Sequence, residues 1–252
     1  EKYNTTQFSI KDDSFTVKRS HVLALCEAFR KLPFKLTFNC TTRVDLLDDE
    51  IIRVMKQAGL SQLSVGIESG SAEILKQTDK DITHEQILKA AALLNKHGVF
   101  WTGYFMIGLP TETEEDILKT LKFLRKSKPH FGGLGVYNPF PGTKLFRQGL
   151  EMGLLDAEPP LEHFLHTNPK DLFFKDPKRR VAHISHERFT ELSEIMSQAF
   201  HKHNTNLFNL ARRLFARKHV YMYDRRILRR DLIKGLEFIG LKKIIDFLRG
   251  KR

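Results

Sequence analysis

The chain has 252 residues, 41% of them apolar and 29% charged, with mean hydropathy −0.35. This is enough apolar material for one large core, or a core with an appendage, and it excludes a collagenous or disordered chain. The formal charge of +12 is concentrated at one end, where His201–Arg252 carries fifteen Lys/Arg against four Asp/Glu, leaving 27 against 26 before it.

Short β-like runs alternate with helical stretches through the first 140 residues. Gln7–Ile10 predicts a strand, and Lys18–Lys31 a helix whose apolar face is Val22, Leu25, Cys26 and Phe29. Lys35–Cys40 alternates, with Leu36, Phe38 and Cys40 on one side and Thr37 and Asn39 on the other. Asp48–Ala58 reads as a helix with acids in its first turn and Gly59 as its stop. A strand over Leu63–Ile67 precedes a helix over Thr83–His97, opened by the capping box Thr83–Gln86 and closed by Gly98. Phe100–Ile107 is a further strand, Thr113-x-x-Asp116 starts a helix to Ser127, and Gly133–Tyr137 is the fifth strand.

Five strand–helix alternations favour a parallel sheet, either doubly wound and open or closed as a (β/α) barrel. Beyond Gly153 the pattern becomes an irregular connection (156–182) and helices over Ser185–Lys202, Asn206–Lys218 and Ile227–Leu248. The change of pattern at Gly153 divides the chain into 1–153 and 154–252, and the basic excess lies within the second part. Two cysteines build no disulfide framework and, with no run of apolar residues long enough to span a bilayer, point to the cytoplasm. The chain opens on Glu1 without a signal-peptide pattern, and we expect a piece of a longer protein.

In either closure the working residues gather at the carboxyl ends of the strands. Those ends read Asp12-Asp13-Ser14, Asn39–Arg43, Gly66–Gly70, Gly108–Glu112 and Tyr137–Gly142. Carboxylates that accept bonds from an ammonium or a ribose diol, an arginine that forks a carboxylate, and glycines that admit an adenine suit a zwitterionic nucleoside. Each element also has a plainer reading: Asp12-Asp13-Ser14 as a turn or cap, Glu68 as a solvated rim acid, Gly108-Leu-Pro as loop punctuation.

Taken in order, Phe8–Phe15, Thr41–Leu47, Val65–Ser71, Phe105–Thr113 and Asn138–Thr143 resemble successive landmarks of the radical S-adenosylmethionine (SAM) superfamily, over about residues 5–150. They look closest to the branch whose members often carry an N-terminal cobalamin-binding domain. The resemblance implies an α/β fold, a partial (β/α) barrel with parallel strands, followed here by a C-terminal helical extension. It implies SAM across the carboxyl rim: Asp12 and Asp13 at the methionyl ammonium, Arg43 at the methionyl carboxylate, and Glu68 with Ser69 at the ribose or methionyl part. Ile107–Gly108 and Val136–Tyr137 would flank the adenine. The implied chemistry is reductive cleavage of SAM to a 5′-deoxyadenosyl radical that abstracts hydrogen from substrate.

The family's three cluster cysteines, spaced Cys-x3-Cys-x2-Cys after the first barrel strand, are absent. Cys26 and Cys40 are fourteen apart and read as core residues, not ligands of a 4Fe–4S cluster. Truncation ahead of Gln7 is the expectation, and the isolated chain should then be inactive. Cobalamin is implied only for a full-length protein. His163-x-x-His166 and His183-x-x-His186 have zinc-ligand spacing, but no nearby cysteine or acid pair completes a set.

The stretch 225–249 places Leu228, Leu232, Leu236 and Ile239 on one helical face, with Arg225, Arg226, Arg229, Arg230 and Lys234, then Lys242, Lys243 and Arg249, opposite. It reads as a helix packed on the barrel with a basic rim, or as a peripheral membrane contact serving a small-molecule or lipid substrate. RNA is the weaker partner, because the nearby aromatics form no stacking module. The alternative to an enzyme is a non-catalytic barrel remnant that docks on membrane or RNA.

Overall fold

The structure, a computed structural model, describes residues 5–78, 80–155, 162, 181–223, 225–238 and 240–241. The expected connection at 156–182, apart from residues 162, 181 and 182, lies outside those residues. So do His163, His166, Lys242, Lys243 and Arg249.

Five strands run in parallel: β1 (Gln7–Ser9), β2 (Thr37–Thr42), β3 (Leu60–Glu68), β4 (Trp101–Ile107) and β5 (Phe131–Val136). Their spatial order is the chain order, β1-β2-β3-β4-β5. A doubly wound sheet reverses direction at a switch point, whereas a barrel sheet adds each strand beside the last. The sequential order therefore settles the closure that periodicity left open, in favour of a partial barrel.

The helices are α1 (Arg19–Lys31), α2 (Asp49–Gln57), α3 (Ala72–Gln77), α4 (His84–Lys96), α5 (Glu114–Ser127) and α6 (Lys144–Glu151). The C-terminal set is α7 (His186–Thr205), α8 (Leu207–Ala216), α9 (Lys218–Tyr223) and α10 (Arg225–Phe238). Helices α3 and α6 were not expected from periodicity; at six and eight residues they are too short to show it.

Local chemistry sets the boundaries. Thr83 and Gln86 exchange bonds of 2.8 and 3.2 Å at the start of α4. Thr113 and Asp116 do the same ahead of α5 at 3.1 and 3.3 Å. Asp48 accepts from the Ile51 amide at 2.8 Å and caps α2. Gly59, at φ +106°, ends the turn into β3 where any Cβ would run into the Leu36 carbonyl.

One face of the sheet carries Phe38, Cys40, Leu63, Val65, Ile67, Phe105 and Ile107, all buried against helix residues such as Cys26, Met55, Ile87 and Ile117. Cys26 and Cys40 are thus core residues, and burial pushes their thiols up to about 11 and about 12. The opposite face holds Asn39, Thr41, Gln62, Ser64 and Tyr104, which are exposed or half-buried.

Helix α7 covers β5. Phe200 packs edge-on against Phe105 at 5.3 Å, and Val181, Ile184, Phe189, Leu192 and Met196 join the same core. Asn204 accepts from the Gly132 amide at 2.9 Å and donates to its carbonyl at 2.8 Å. One side chain thereby does for the edge of β5 what a further strand would do.

Candidate functional site

The carboxyl ends of the strands form one rim. At about 4.8 Å per strand, four spacings give about 19 Å from β1 to β5, room for an extended nucleoside–amino-acid molecule. Asp12 and Asp13 are exposed in the loop after β1. Asp13, Arg43 and Glu68 line a single cleft of about 220 Å³, with Thr41, Gly66 and Tyr104 in its walls. Three of the nine expected residues, from three different strand ends, therefore face the same space.

Glu68 ends β3 in the left-handed region at φ +65°, a conformation that costs a non-glycine residue about 1 kcal/mol or more. The sheet absorbs it as a register shift against β4 between Gly66 and Glu68. The shifted carboxylate pairs with the Lys80 ammonium at the cleft wall. Two residues earlier, a Cβ on Gly66 would stand 2.5 Å from the Glu68 Oε1 and 2.8 Å from the Lys80 Nζ, so a larger residue there would push both side-chain ends aside.

Arg43 turns its fork to Asp45, with Nε to Oδ1 at 3.0 Å and Nη2 to Oδ2 at 3.1 Å, and also donates to the Lys80 carbonyl. An incoming carboxylate would have to compete with Asp45 for it. Ser69 is fully buried: its hydroxyl accepts from the Ser71 amide at 3.1 Å and lies 3.3 Å from the Thr120 hydroxyl, directed to α5 and away from the cleft.

Ile107, Gly108, Val136 and Tyr137 meet at the β4–β5 end of the rim. Ile107 is registered with Val136, and the Tyr137 amide donates to the Ile107 carbonyl at 2.7 Å. The Ile107 side chain points into the helix-side core, so only its backbone faces the rim. Burial raises the Tyr137 phenol. Gly108 stands at φ +88°, where a Cβ would meet the Phe189 ring at 2.9 Å.

Sequence reasoning assigned no role to three residues here. Glu112 is fully buried, and its Oε2 accepts from both the Gly108 and the Leu109 amides, fixing the loop after β4. Burial drives this carboxyl up to about 8, against the smaller pull of the two amides. An acid four residues after a strand-end glycine was the available sign. Tyr104, 48% exposed, lays its ring over Gly133 of β5, where a Cβ would lie 2.6 Å from the Tyr104 Cδ1. Nothing local announced Lys80, since its partner Glu68 is twelve residues away.

Among the described residues no group of three His, Cys, Asp or Glu side chains could hold a metal ion, and His183 and His186 are exposed. Two buried, neutral thiols on the helix side of the sheet do not fit a 4Fe–4S cluster, which binds thiolates.

Residues 16–124 match the family model of the Radical SAM superfamily. An uncharacterised methyltransferase of Pyrococcus horikoshii is 26% identical over 191 residues, 76% of this chain and 40% of that protein. An anaerobic magnesium-protoporphyrin IX monomethyl ester cyclase of Rubrivivax gelatinosus is 31% identical over 154 residues, 60% of this chain and 28% of its own. The chain spans less than half the length of these relatives. A radical S-adenosylmethionine methyltransferase from Kitasatospora setae, solved with cobalamin and a 4Fe–4S cluster, shares the fold at TM-score 0.54. Its identity is 16%, over 63% of this chain and 33% of that one.

Proposed function

We propose, with residues 16–124 a domain of the radical SAM superfamily, that the carboxyl rim binds S-adenosylmethionine for an enzyme of radical SAM type. The observation that carries this is the convergence of Asp13, Arg43 and Glu68 on one cleft, with Glu68 held there at positive φ. Backbone strain of this kind persists where a side chain has to be aimed.

Asp13 and Glu68 accept hydrogen bonds from the ammonium and the ribose hydroxyls. Arg43 meets the methionyl carboxylate by exchanging it for Asp45. Ile107–Gly108 and Val136–Tyr137 bound the adenine, and Glu112 keeps the Gly108–Leu109 backbone in place. Bound to a reduced cluster, SAM supplies hydrogen-abstracting chemistry, but the described residues offer that cluster no ligand set. The part this chain plays is to hold and orient the nucleoside. Methyl transfer is the subtype favoured by likeness to two proteins named methyltransferases. Cobalamin is proposed as a companion of the barrel, not as a ligand of its described residues.

Equilibrium dialysis against labelled SAM tests the reading. Retention by the wild-type chain, weakened by Glu68→Gln and by Asp13→Asn, is the expected result. Equal retention in all three proteins would overturn it.

A second reading, contact with an anionic membrane surface, has its own observation. Phe208, Phe215 and Met222 recur seven apart and are 72%, 68% and 82% exposed, with Lys218 over the Phe215 ring at 4.5 Å. Among the described residues no helix is long and apolar enough to cross a membrane. Cosedimentation with phosphatidylserine vesicles that is lost in Phe215→Ser/Met222→Ser supports surface docking. Retention of RNA without vesicles would replace it.

A further inference from the structure

Below the rim, the inner face of β1–β4 carries a polar row. Ser9 is registered with Asn39 and Asn39 with Gln62. The Ser9 hydroxyl donates to Asn39 Oδ1 at 2.8 Å, and Gln62 Nε2 donates to the Thr102 hydroxyl at 3.2 Å. Four strands thus present an unbroken row of amides and hydroxyls, while the opposite face is mostly given to the core. Amide and hydroxyl side chains both donate and accept, which suits a hydroxyl- or amide-bearing guest and not a hydrocarbon one.

The C-terminal helices give this face a floor. A polar compartment of about 210 Å³ is walled by Gln7, Asn39 and Gln62 from the strands and by Arg230, Asp231 and Lys234 from α10. Asp231 is already committed: its Oδ2 pairs with Arg217 at 2.6 Å and accepts from the Tyr221 hydroxyl at 3.1 Å, which ties α10 to the α8–α9 turn and to α9. Arg230 reaches the other oxygen of Asp231 only at 3.8 Å and is half exposed, and Lys234 has no ion pair among the described residues. The compartment therefore carries two cations beyond what its one acid needs. Gln62 lies four residues below Gly66 of the upper cleft, about 13 Å along β3.

We propose that this compartment holds the substrate of the reaction: a small, hydroxyl- or amide-bearing molecule whose carboxylate or phosphate is gripped by Arg230 and Lys234 while its other end rises toward the rim. The assignment rests on the SAM reading of that rim, and it selects a polar anion over a lipid as the substrate class. Arg230 and Lys234, both exposed on α10, then do the work of a substrate clamp from below.

The test uses inorganic phosphate and citrate as probes, titrated at constant ionic strength and read by thermal shift. The variant is Arg230→Gln/Lys234→Gln, and the control is Arg53→Gln/Lys89→Gln, which removes the same charge from exposed positions on α2 and α4. The expected result is wild-type stabilisation by at least one probe, weakened five-fold or more in the α10 variant and unchanged in the control. A response to phosphate alone assigns a phosphate group, and a response to citrate alone assigns a carboxylate. Equal weakening in both variants, or no response in the wild type, overturns the proposal. SAM retention is measured on the same proteins. Its absence from the wild type would sink the rim reading whatever the anions do, and its persistence in the α10 variant isolates the floor as the site of any loss.

Discussion

Replacing Glu112 by Gln tests the electrostatics of the loop that follows β4. The buried carboxyl rises from 4.5 to about 8 because burial disfavours its charged form, and two amide donors only partly offset this. The folded state therefore prefers the neutral acid: its contribution is complete below pH 4.5 and is lost as the pH climbs from 4.5 toward 8. At about 1.4 kcal/mol per pH unit the loss is about 3 kcal/mol by pH 7 and about 5 kcal/mol well above pH 8. Gln keeps an oxygen for the Gly108 and Leu109 amides and never ionises. Thermal unfolding of both proteins from pH 5 to pH 8 reads the difference, because every other titrating group is common to the two. For a chain of this size, the melting temperature of the wild type should fall by about 5–10 °C relative to Glu112→Gln between pH 5 and pH 7. Parallel curves across that range would refute the argument, by showing that the carboxyl is solvated or compensated.

Glu68→Gly should keep or raise stability by about 1 kcal/mol, because it relieves the positive φ, while SAM binding falls. Glu68→Gln keeps the strain and removes the charge, and its dissociation constant for SAM should rise about tenfold or more in dialysis. Asn204→Ala leaves both backbone groups of Gly132 without their partner, which costs about 2–4 kcal/mol. Denaturant unfolding measures that loss, and a change below about 0.5 kcal/mol would show that the β5 edge is held by something else. Gly108→Ala drives a methyl toward the Phe189 ring and should lower stability by about 1–3 kcal/mol, part of it recovered in Gly108→Ala/Phe189→Leu.

Much of the scaffold is written locally. Alternation in Lys35–Cys40, the caps at Thr83 and Thr113, and the glycine stops at Gly59 and Gly98 depend on bonds within a few residues. The sequence therefore determined that strands and helices alternate, that the strands are parallel, and that five strand ends share one rim. What it could not determine are partnerships between distant residues, because these depend on register and on how the sheet closes. Lys80 beside Glu68, Asp45 in the fork of Arg43, and Ser69 turned to Thr120 follow from the register shift at the end of β3 and from the packing of α5. The basic helix is the clearest case. Its periodicity fits a membrane surface and a barrel wall equally well, and only the tertiary structure seats Asp231 on Arg217 and Tyr221 and brings Arg230, Asp231 and Lys234 to one compartment with Asn39 and Gln62. An amphipathic pattern specifies that a face will be covered, while the identity of what covers it is set by the packing of the whole chain.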